Sequence, residues 1–443
     1  MSVVSPMRTP AETGLIERFK AVRDSLPGTP ETARQRDEAF ALIEAGGLPH
    51  RRVEEWKYTD LRSVMREAPP LAGRPSLAET DAALATGTAF TAVEATRLTF
   101  VNGHLVTMDA IPDGIEVTAL AQALVEGDPR LARMGGLAVA KDNAAVALNA
   151  AFMADGALIE VGEGVKLERP ILLRFINTGS QPFATSPRVL LLAGEGASLT
   201  LIESHEGPLG VAYHSNVVVE IAGGSGVDLT HLRLNAEGDE AIALSTLMVS
   251  LGADARLATT GTVVGGHVSR HQLFLAFEGE NSTAYLGGAT MLADKDHADT
   301  TLVVDHIVPG CQSRELYKTV VDGEATGVFQ GKIIVRPGAQ KTDGQMMSAA
   351  LLLSDGASMN NKPELEIFAD DVVCAHGATC GELDDELLFY LMARGLPRPQ
   401  AEALLVQAFL GEALEAITLD DVREELTELV AQWLAGRAKE HAT

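Results

Sequence analysis

Apolar and polar positions alternate in two different rhythms along this chain, and the rhythm changes near each end. On the N-terminal side, Thr29-Pro30-Glu31 combines a capping hydroxyl, a proline at the first helical position and an acid in the first turn. Gly46-Gly47 then stops the predicted helix. Near the other end, Leu419, Val422, Leu426, Leu429 and Trp433 recur at helical spacing behind Thr418. Asp420 and Asp421 stand in the first turn, where the helix dipole favours negative charge. A further helix is predicted from about Asp384 through Leu387, Leu388, Leu391 and Met392, ended by Gly395 and Pro397.

Between roughly Arg97 and Val373 the texture is different. Short β-rich runs appear, such as Val189-Leu190-Leu191-Leu192, Val217-Val218-Val219 and Ala243 to Leu247. Glycine and small polar residues bound them at Gly164, Gly194-Glu195-Gly196, Gly223 to Gly226, Gly252-Ala253-Asp254 and Gly279-Glu280-Asn281. The step is about 30 residues, until a longer stretch intervenes before Gly323. Many short strands at a steady period predict a β-solenoid, in which each coil buries its apolar face against its neighbours. A β-sandwich gives similar strands, but about 280 residues exceed one ordinary sandwich. The expected organisation is an N-terminal helical domain over 1–90, a β-helix core over 91–378 and a C-terminal helical domain over 379–443.

Charge narrows the functions. There are 35 bases against 61 acids, a net charge of −26. So acidic a surface repels phosphate backbones and anionic lipid heads, which argues against nucleic acid or membrane as the main partner; the plainer role of the charge is solubility. No apolar run reaches the ~20 residues needed to cross a bilayer. Met1 to Pro10 carries no apolar segment of the kind a secretory signal needs. Cys311, Cys374 and Cys380 form no CxxC pair and build no disulfide framework, as fits a reducing cytoplasm.

Most motifs that suggest chemistry fail on inspection. Gly327-Val328-Phe329-Gln330-Gly331-Lys332-Ile333 is one residue short of a phosphate loop, has isoleucine where Ser or Thr would hold Mg²⁺, and leads into a β-rich run. Its glycines are expected to turn the solenoid. His267 and His271 are four apart but lie among β-rich residues, and Val268 stands where a zinc protease needs glutamate. Asp294, Asp296, His297 and Asp299 suggest a solvated turn, and Asp305-His306 a structural pair. Cys374-Ala375-His376 is different. If the run Glu366-Ile367-Phe368 continues through Val372-Val373, the thiol and the imidazole share one face. That pair suits iron, copper or zinc. Two donors do not complete a four-coordinate site, so the rest must come from a distant segment, another chain or solvent; a buried thiol beside a hydrogen-bonded histidine is the structural alternative.

From Asp305 to Gly395 the sequence resembles the shared core of the SufB/SufD family of iron–sulfur cluster assembly proteins. The matching stretches are Asp305-His306, Ser313, Tyr317-Lys318, Asp322-Gly323, Gln340 to Asp343, Leu351 to Ser354, Lys362 to Ile367, Ala369 to Val372, Cys374 to Thr379, Leu388 to Leu391 and Arg394-Gly395. His376-Gly377-Ala378-Thr379 and Glu54-Glu55-Trp56-Lys57-Tyr58-Thr59-Asp60-Leu61 are similar to the SufD branch rather than the SufB branch. In the second motif the aromatic pair is expected to anchor the N-terminal helices. Cys380 and Met346-Met347 depart from the family pattern; Cys380 is expected to be a small buried residue.

The resemblance implies a right-handed parallel β-helix between helical termini, in agreement with the periodicity. It implies a non-enzymatic scaffold subunit of a cytoplasmic complex with a SufB-type subunit and the ATPase SufC. A transient iron–sulfur cluster would form at the SufB–SufD interface, with His376 a ligand and Cys374 its neighbour. A reduced flavin in the complex is also implied, and nothing in this sequence locates it. The SufB-type subunit is expected to pair with the terminal solenoid edge, about 364–376, read as the final run before helix resumes near Asp384. SufC is expected on the C-terminal helices, and the isolated chain could self-pair. Two rival functions remain open at this point: a β-solenoid enzyme acting on polysaccharide, and a self-contained metalloenzyme at Cys374 and His376. The first wants paired carboxylates and exposed aromatic faces, and this chain has 5% aromatics and two tryptophans.

Overall fold

A computed structural model of the chain describes residues 8–137 and 140–440. Residues 1–7, part of the segment in which no secretory signal is expected, lie outside the described residues. Four helices come first: α1 (Pro10–Val22), α2 (Pro30–Gly46), α3 (Leu61–Val64) and α4 (Leu77–Thr86). Thr29 caps α2 by accepting from the Thr32 N–H, and Gly47, at φ 75°, closes it. Only glycine takes that left-handed backbone freely. Phe19 and Phe40 stack at 4.1 Å, and Phe152 meets both edge-on, so these helices bury one aromatic core.

The middle of the chain is a parallel β-solenoid of about eight turns. It opens with β1 (Thr96–Val101), β2 (His104–Met108), β3 (Ile115–Ala119) and β4 (Gly156–Val161). Two helices, α5 (Leu120–Glu126) and α6 (Ala144–Phe152), lie between β3 and β4. Then follow β5 (Ile171–Ile176), β6 (Phe183–Thr185), β7 (Arg188–Ala193), β8 (Ser198–Glu206), β9 (Tyr213–Gly223), β10 (Asp228–Ala236), β11 (Ala241–Leu251) and β12 (Arg256–Val263). The last turns are β13 (Val268–Phe277), β14 (Thr283–Leu292), β15 (His297–His306), β16 (Gln312–Val321), β17 (Thr326–Val335), β18 (Asp343–Leu352), β19 (Ser358–Ile367) and β20 (Val373–Gly381). Each regular turn gives one strand to each of two sheets. One sheet runs β2-β1-β5-β8-β10-β12-β14-β16-β18-β20, the other β19-β17-β15-β13-β11-β9-β7-β4-β3.

Register is kept from coil to coil. Ser198, Asp228, Arg256, Thr283, Gln312, Asp343 and Val373 stand in one column, a step of about 30 residues each time. One turn position repeats with them: Gly164, Gly196, Gly226, Asp254, Asn281, Gly310 and Lys341 all have positive φ. Each donates its N–H to a carbonyl of the next turn, from Glu195 for the first to Asp371 for the last. The period therefore does not lapse after Asn281. The next turn uses Gly310, and Gly323 belongs to the opposite edge, where its neighbour Glu324 bonds back to Asp294.

Inside, every second residue of each strand fills the lumen. Leu199, Leu229, Leu257 and Ala284 continue one apolar stack, and Val219, Leu247, Leu273 and Leu302 form another on the opposite sheet. The lumen also holds buried charge. The Glu203 carboxylate accepts from His205 Nε2 at 2.9 Å and His231 Nε2 at 2.7 Å, which satisfies both of its oxygens. Outside the solenoid, α7 (Asp385–Ala393), α8 (Arg398–Leu414) and α9 (Asp420–Glu440) complete the chain. Val406, Leu410, Leu414, Val422 and Leu426 bury their stripe against Leu232, Leu234 and Met291 of the sheet. Asp384 caps α7 with bonds from the Glu386 and Leu387 N–H groups. No described helix is long and apolar enough to cross a membrane.

Several sequence expectations change here. The segment Gly327 to Ile333 is one straight strand, so its glycines do not turn the solenoid. They make room instead: a Cβ at Gly327 would lie 2.6 Å from Met359 Sδ, and one at Gly331 would strike Met346 Sδ. Asp299 is not part of a solvated turn. It is buried and pairs with Arg270. The run from Glu364 does not continue to Val373, because the chain leaves β19 at Ile367 and crosses to the other sheet before β20.

Candidate functional site

The last coil has no successor, and that position shapes the site. β19 and β20 each end their sheet, bonded on one side only, to β17 and β18. The two motifs Lys362 to Ile367 and Cys374 to Thr379 therefore occupy the two open strands, one on each. The register places Ser313, Gly344 and Cys374 in one inward column. Glu315, Met346 and His376 form the next, and Tyr317, Ser348 and Ala378 the third. Cys374 and His376 continue the lumen rows and look out over the open end of the solenoid. With one residue between them on a strand, their Cα atoms are about 6.5–7 Å apart, close enough for side chains to share one ion.

The surroundings grade from dry to wet. Cys374 is half-buried against the lumen core, and His376 is exposed. Burial pushes the Cys374 thiol above its ordinary value, and the nearby carboxyls of Asp343 and Glu315 act the same way. Below them lies a polar group that the sequence analysis passed over. Glu315 is 3% exposed, and among the described residues neither carboxyl oxygen has a hydrogen-bond partner of good geometry, although the nearby Ser313 hydroxyl favours its ionised form. Burial pushes its carboxyl up to about 8, so it is held largely as the neutral acid near neutral pH. The alternation Ser313, Glu315, Tyr317 was the available signal: an acid on the inward row of a strand. His306 lies in the same part of the lumen, against the Phe277 ring at 4.6 Å and with Nε2 3.1 Å from Ser313 Oγ. Asp305 faces the other way and holds Arg336 at 2.8 and 2.9 Å, so the pair is structural.

Among the described residues no group of three or more His, Cys, Asp or Glu side chains could hold a metal ion. Cys374 and His376 offer one thiol and one imidazole, a donor pair that suits iron, copper or zinc and is incomplete by itself. Cys380 is exposed rather than buried, because no further coil covers β20. It shares the row of Cys374 but sits six residues along, roughly 20 Å away, too far to join the same ion. His271 is a lumen residue bonded to Ser245 Oγ at 2.7 Å and is no zinc ligand.

The N-terminal motif reaches this end of the molecule. Trp56 is buried under the Arg270 guanidinium, 4.0 Å from its ring centroid. Arg270 also donates to the Glu55 carbonyl at 2.7 Å. Thr59 meets His297 Nε2 at 2.8 Å and donates to Asp299. Gln330 reaches the Glu55 carbonyl at 3.3 Å, and Lys362 pairs with Glu54 at 2.6 Å. Residues 54–59 thus strap the outer face of β13, β15, β17 and β19. Trp56 is the anchor expected of the motif, while Tyr58 stays half-exposed.

The class defined by the fold is a parallel β-solenoid with helices at both ends, and its open last coil carries a thiol–imidazole pair. The sequence model of the SUF system FeS cluster assembly, SufBD core domain, matches residues 175–409, and that of the SufBD protein N-terminal region matches residues 11–173. The chain belongs to the SufBD family of iron–sulfur cluster assembly proteins. It is 30% identical over 419 residues to the iron–sulfur cluster assembly protein SufD of Escherichia coli, covering 93% of this chain and 95% of that protein. It is also 30% identical over 439 residues to a SufBD family protein of Synechocystis, covering 95% and 96%. A SufBD family protein of Mycobacterium tuberculosis is 30% identical over 408 residues, covering 90% and 93%.

Proposed function

We propose that this chain is the SufD-type scaffold subunit of a cytoplasmic SufBCD complex, and that it adds Cys374 and His376 to a nascent iron–sulfur cluster at the seam with a SufB-type subunit. The observation that carries this reading is the coincidence of an incomplete thiol–imidazole donor pair with two unpaired strand edges. An open edge offers a row of backbone donors and acceptors that another chain can extend. A second solenoid of the same family pairing there would bring its own side chains beside Cys374 and His376 and complete the coordination. The cluster is cargo. This subunit holds and positions it, while ATP hydrolysis belongs to SufC.

The C-terminal helices support a second contact. Leu387, Phe389, Tyr390, Met392 and Leu404 are exposed, and Phe389 is 74% exposed. Between Glu382 and Glu440 there are thirteen acids and five bases. An apolar patch rimmed by acids on α7 and α8 suits the SufC subunit.

The test co-expresses this chain with its SufB and SufC partners and measures iron and sulfide in the purified complex. His376→Ala should leave assembly intact and lower cluster content several-fold, with a smaller loss for Cys374→Ala, since a half-buried thiol also fills space. Wild-type cluster content in His376→Ala would refute the ligand role. Phe389→Ala should weaken SufC recovery while SufB stays bound.

A further inference from the structure

Far from the open end, a cavity of about 650 Å³ lies between the first turns of α2, the segment that follows α5, and the C-terminal end of α6. Its wall includes Arg36, a residue 2% exposed. Among the described residues, the bond recorded for this guanidinium runs from Nη2 to the Met153 carbonyl at 3.0 Å, and Nε has no partner. Burial alone acts on it, lowering the guanidinium to about 10, and no carboxylate among the described residues opposes that.

The neighbouring charges are already matched. Glu31 pairs with Arg34 at 2.7 Å, Asp128 with Arg130 at 2.7 Å, and Arg188 with Glu220 at 2.5 Å. Met153 is the C-cap of α6, so its carbonyl stands at the negative end of that helix. A helix end amounts to roughly half an elementary charge, which leaves about half of the guanidinium charge unanswered. Thr29 and Thr32, the cap and first turn of the seventeen-residue α2, line the same space and add the positive end of a second dipole. Leu124, Leu131 and Met134 give the remaining wall an apolar surface.

We propose that this cavity binds a small organic anion, a carboxylate on an apolar body, with its carboxylate against Arg36. A planar guanidinium edge matches a carboxylate in shape as well as charge. One unanswered charge beside an apolar wall selects a monoanion with a hydrocarbon part over a compact polyanion. The cavity volume falls in the range of ordinary small-molecule sites.

The test uses the full chain, calorimetry, and three probes: octanoate, acetate and neutral octanamide. Octanoate should saturate, with acetate and octanamide each at least ~10-fold weaker. Arg36→Gln should abolish the preference for octanoate over octanamide. Ala132→Trp, on the exposed rim of the cavity, should weaken octanoate at least ~10-fold whether or not Arg36→Gln folds. Equal binding of octanoate and octanamide, unchanged binding in Ala132→Trp, or no saturation by roughly 10 mM octanoate would each overturn the proposal.

Discussion

Replacing Asp299 by asparagine keeps the shape of the side chain and removes its charge. In the wild type the Asp299 carboxylate pairs with Arg270 and accepts from Thr59 and from Thr301 Oγ1, the last at 2.8 Å. Arg270 is 1% exposed, so the substitution leaves a guanidinium charge out of water facing a neutral amide, the Glu55 carbonyl and the Trp56 ring, with the Glu55 carboxylate as the remaining negative charge that acts on it. Removing one partner of a buried ion pair costs about 3–5 kcal/mol. The second half of the test removes the guanidinium charge as well. Arg270→Met with Asp299→Leu should cost at least ~2 kcal/mol less than the two single changes summed, because contacting residues are not additive. The readout is urea unfolding followed by Trp56 fluorescence in a Trp433→Phe background, which leaves Trp56 as the sole reporter of the chain's two tryptophans. If Asp299→Asn unfolds within roughly 0.5 kcal/mol of wild type, or if the double change is simply additive, the strap is not held by this pair.

Three further outcomes follow from the lumen and the last coil. Glu315 has its carboxyl raised from 4.5 to about 8, so between those values the folded chain keeps a proton that the unfolded chain has lost. Wild-type stability should therefore fall as pH rises from about 5 to 8, by a few kcal/mol at most, and Glu315→Gln should flatten that slope; an unchanged slope in urea titrations would count against the buried acid. Gly331→Ala forces a methyl group into Met346, so it should cost about 1–3 kcal/mol, and Met346→Ala in the same chain should recover part of the loss. Thiol alkylation followed by mass spectrometry should label exposed Cys380 first, half-buried Cys374 more slowly, and buried Cys311 only on unfolding. Equal rates at all three would contradict the arrangement of the last coil.

The sequence by itself determined whatever depends on near neighbours along the chain. Thr29 with Gly47, and Asp384 with Gly395, bounded helices because capping is settled within a turn of backbone. The solenoid was legible from its turns, since each coil must reverse direction at an equivalent place. It blurred only after Asn281, where the turns at Gly310 and Lys341 went unread and Gly323 serves the other edge. The thiol–imidazole pair was legible too, as two donors one residue apart on a strand. Only the tertiary structure decided what stacks on what. Gly331 is a space for Met346 rather than a turn, Asp299 is the counter-charge of Arg270, and Glu54 reaches Lys362 across 308 positions. Cys380 is exposed although its neighbours in the column are buried, because burial in a solenoid comes from the coil above and β20 has none. That same missing coil leaves Cys374 and His376 at an open edge. Sequence spacing sets which face of a strand a side chain takes, while its partners come from strands about 30 residues away, and local pattern carries no record of them.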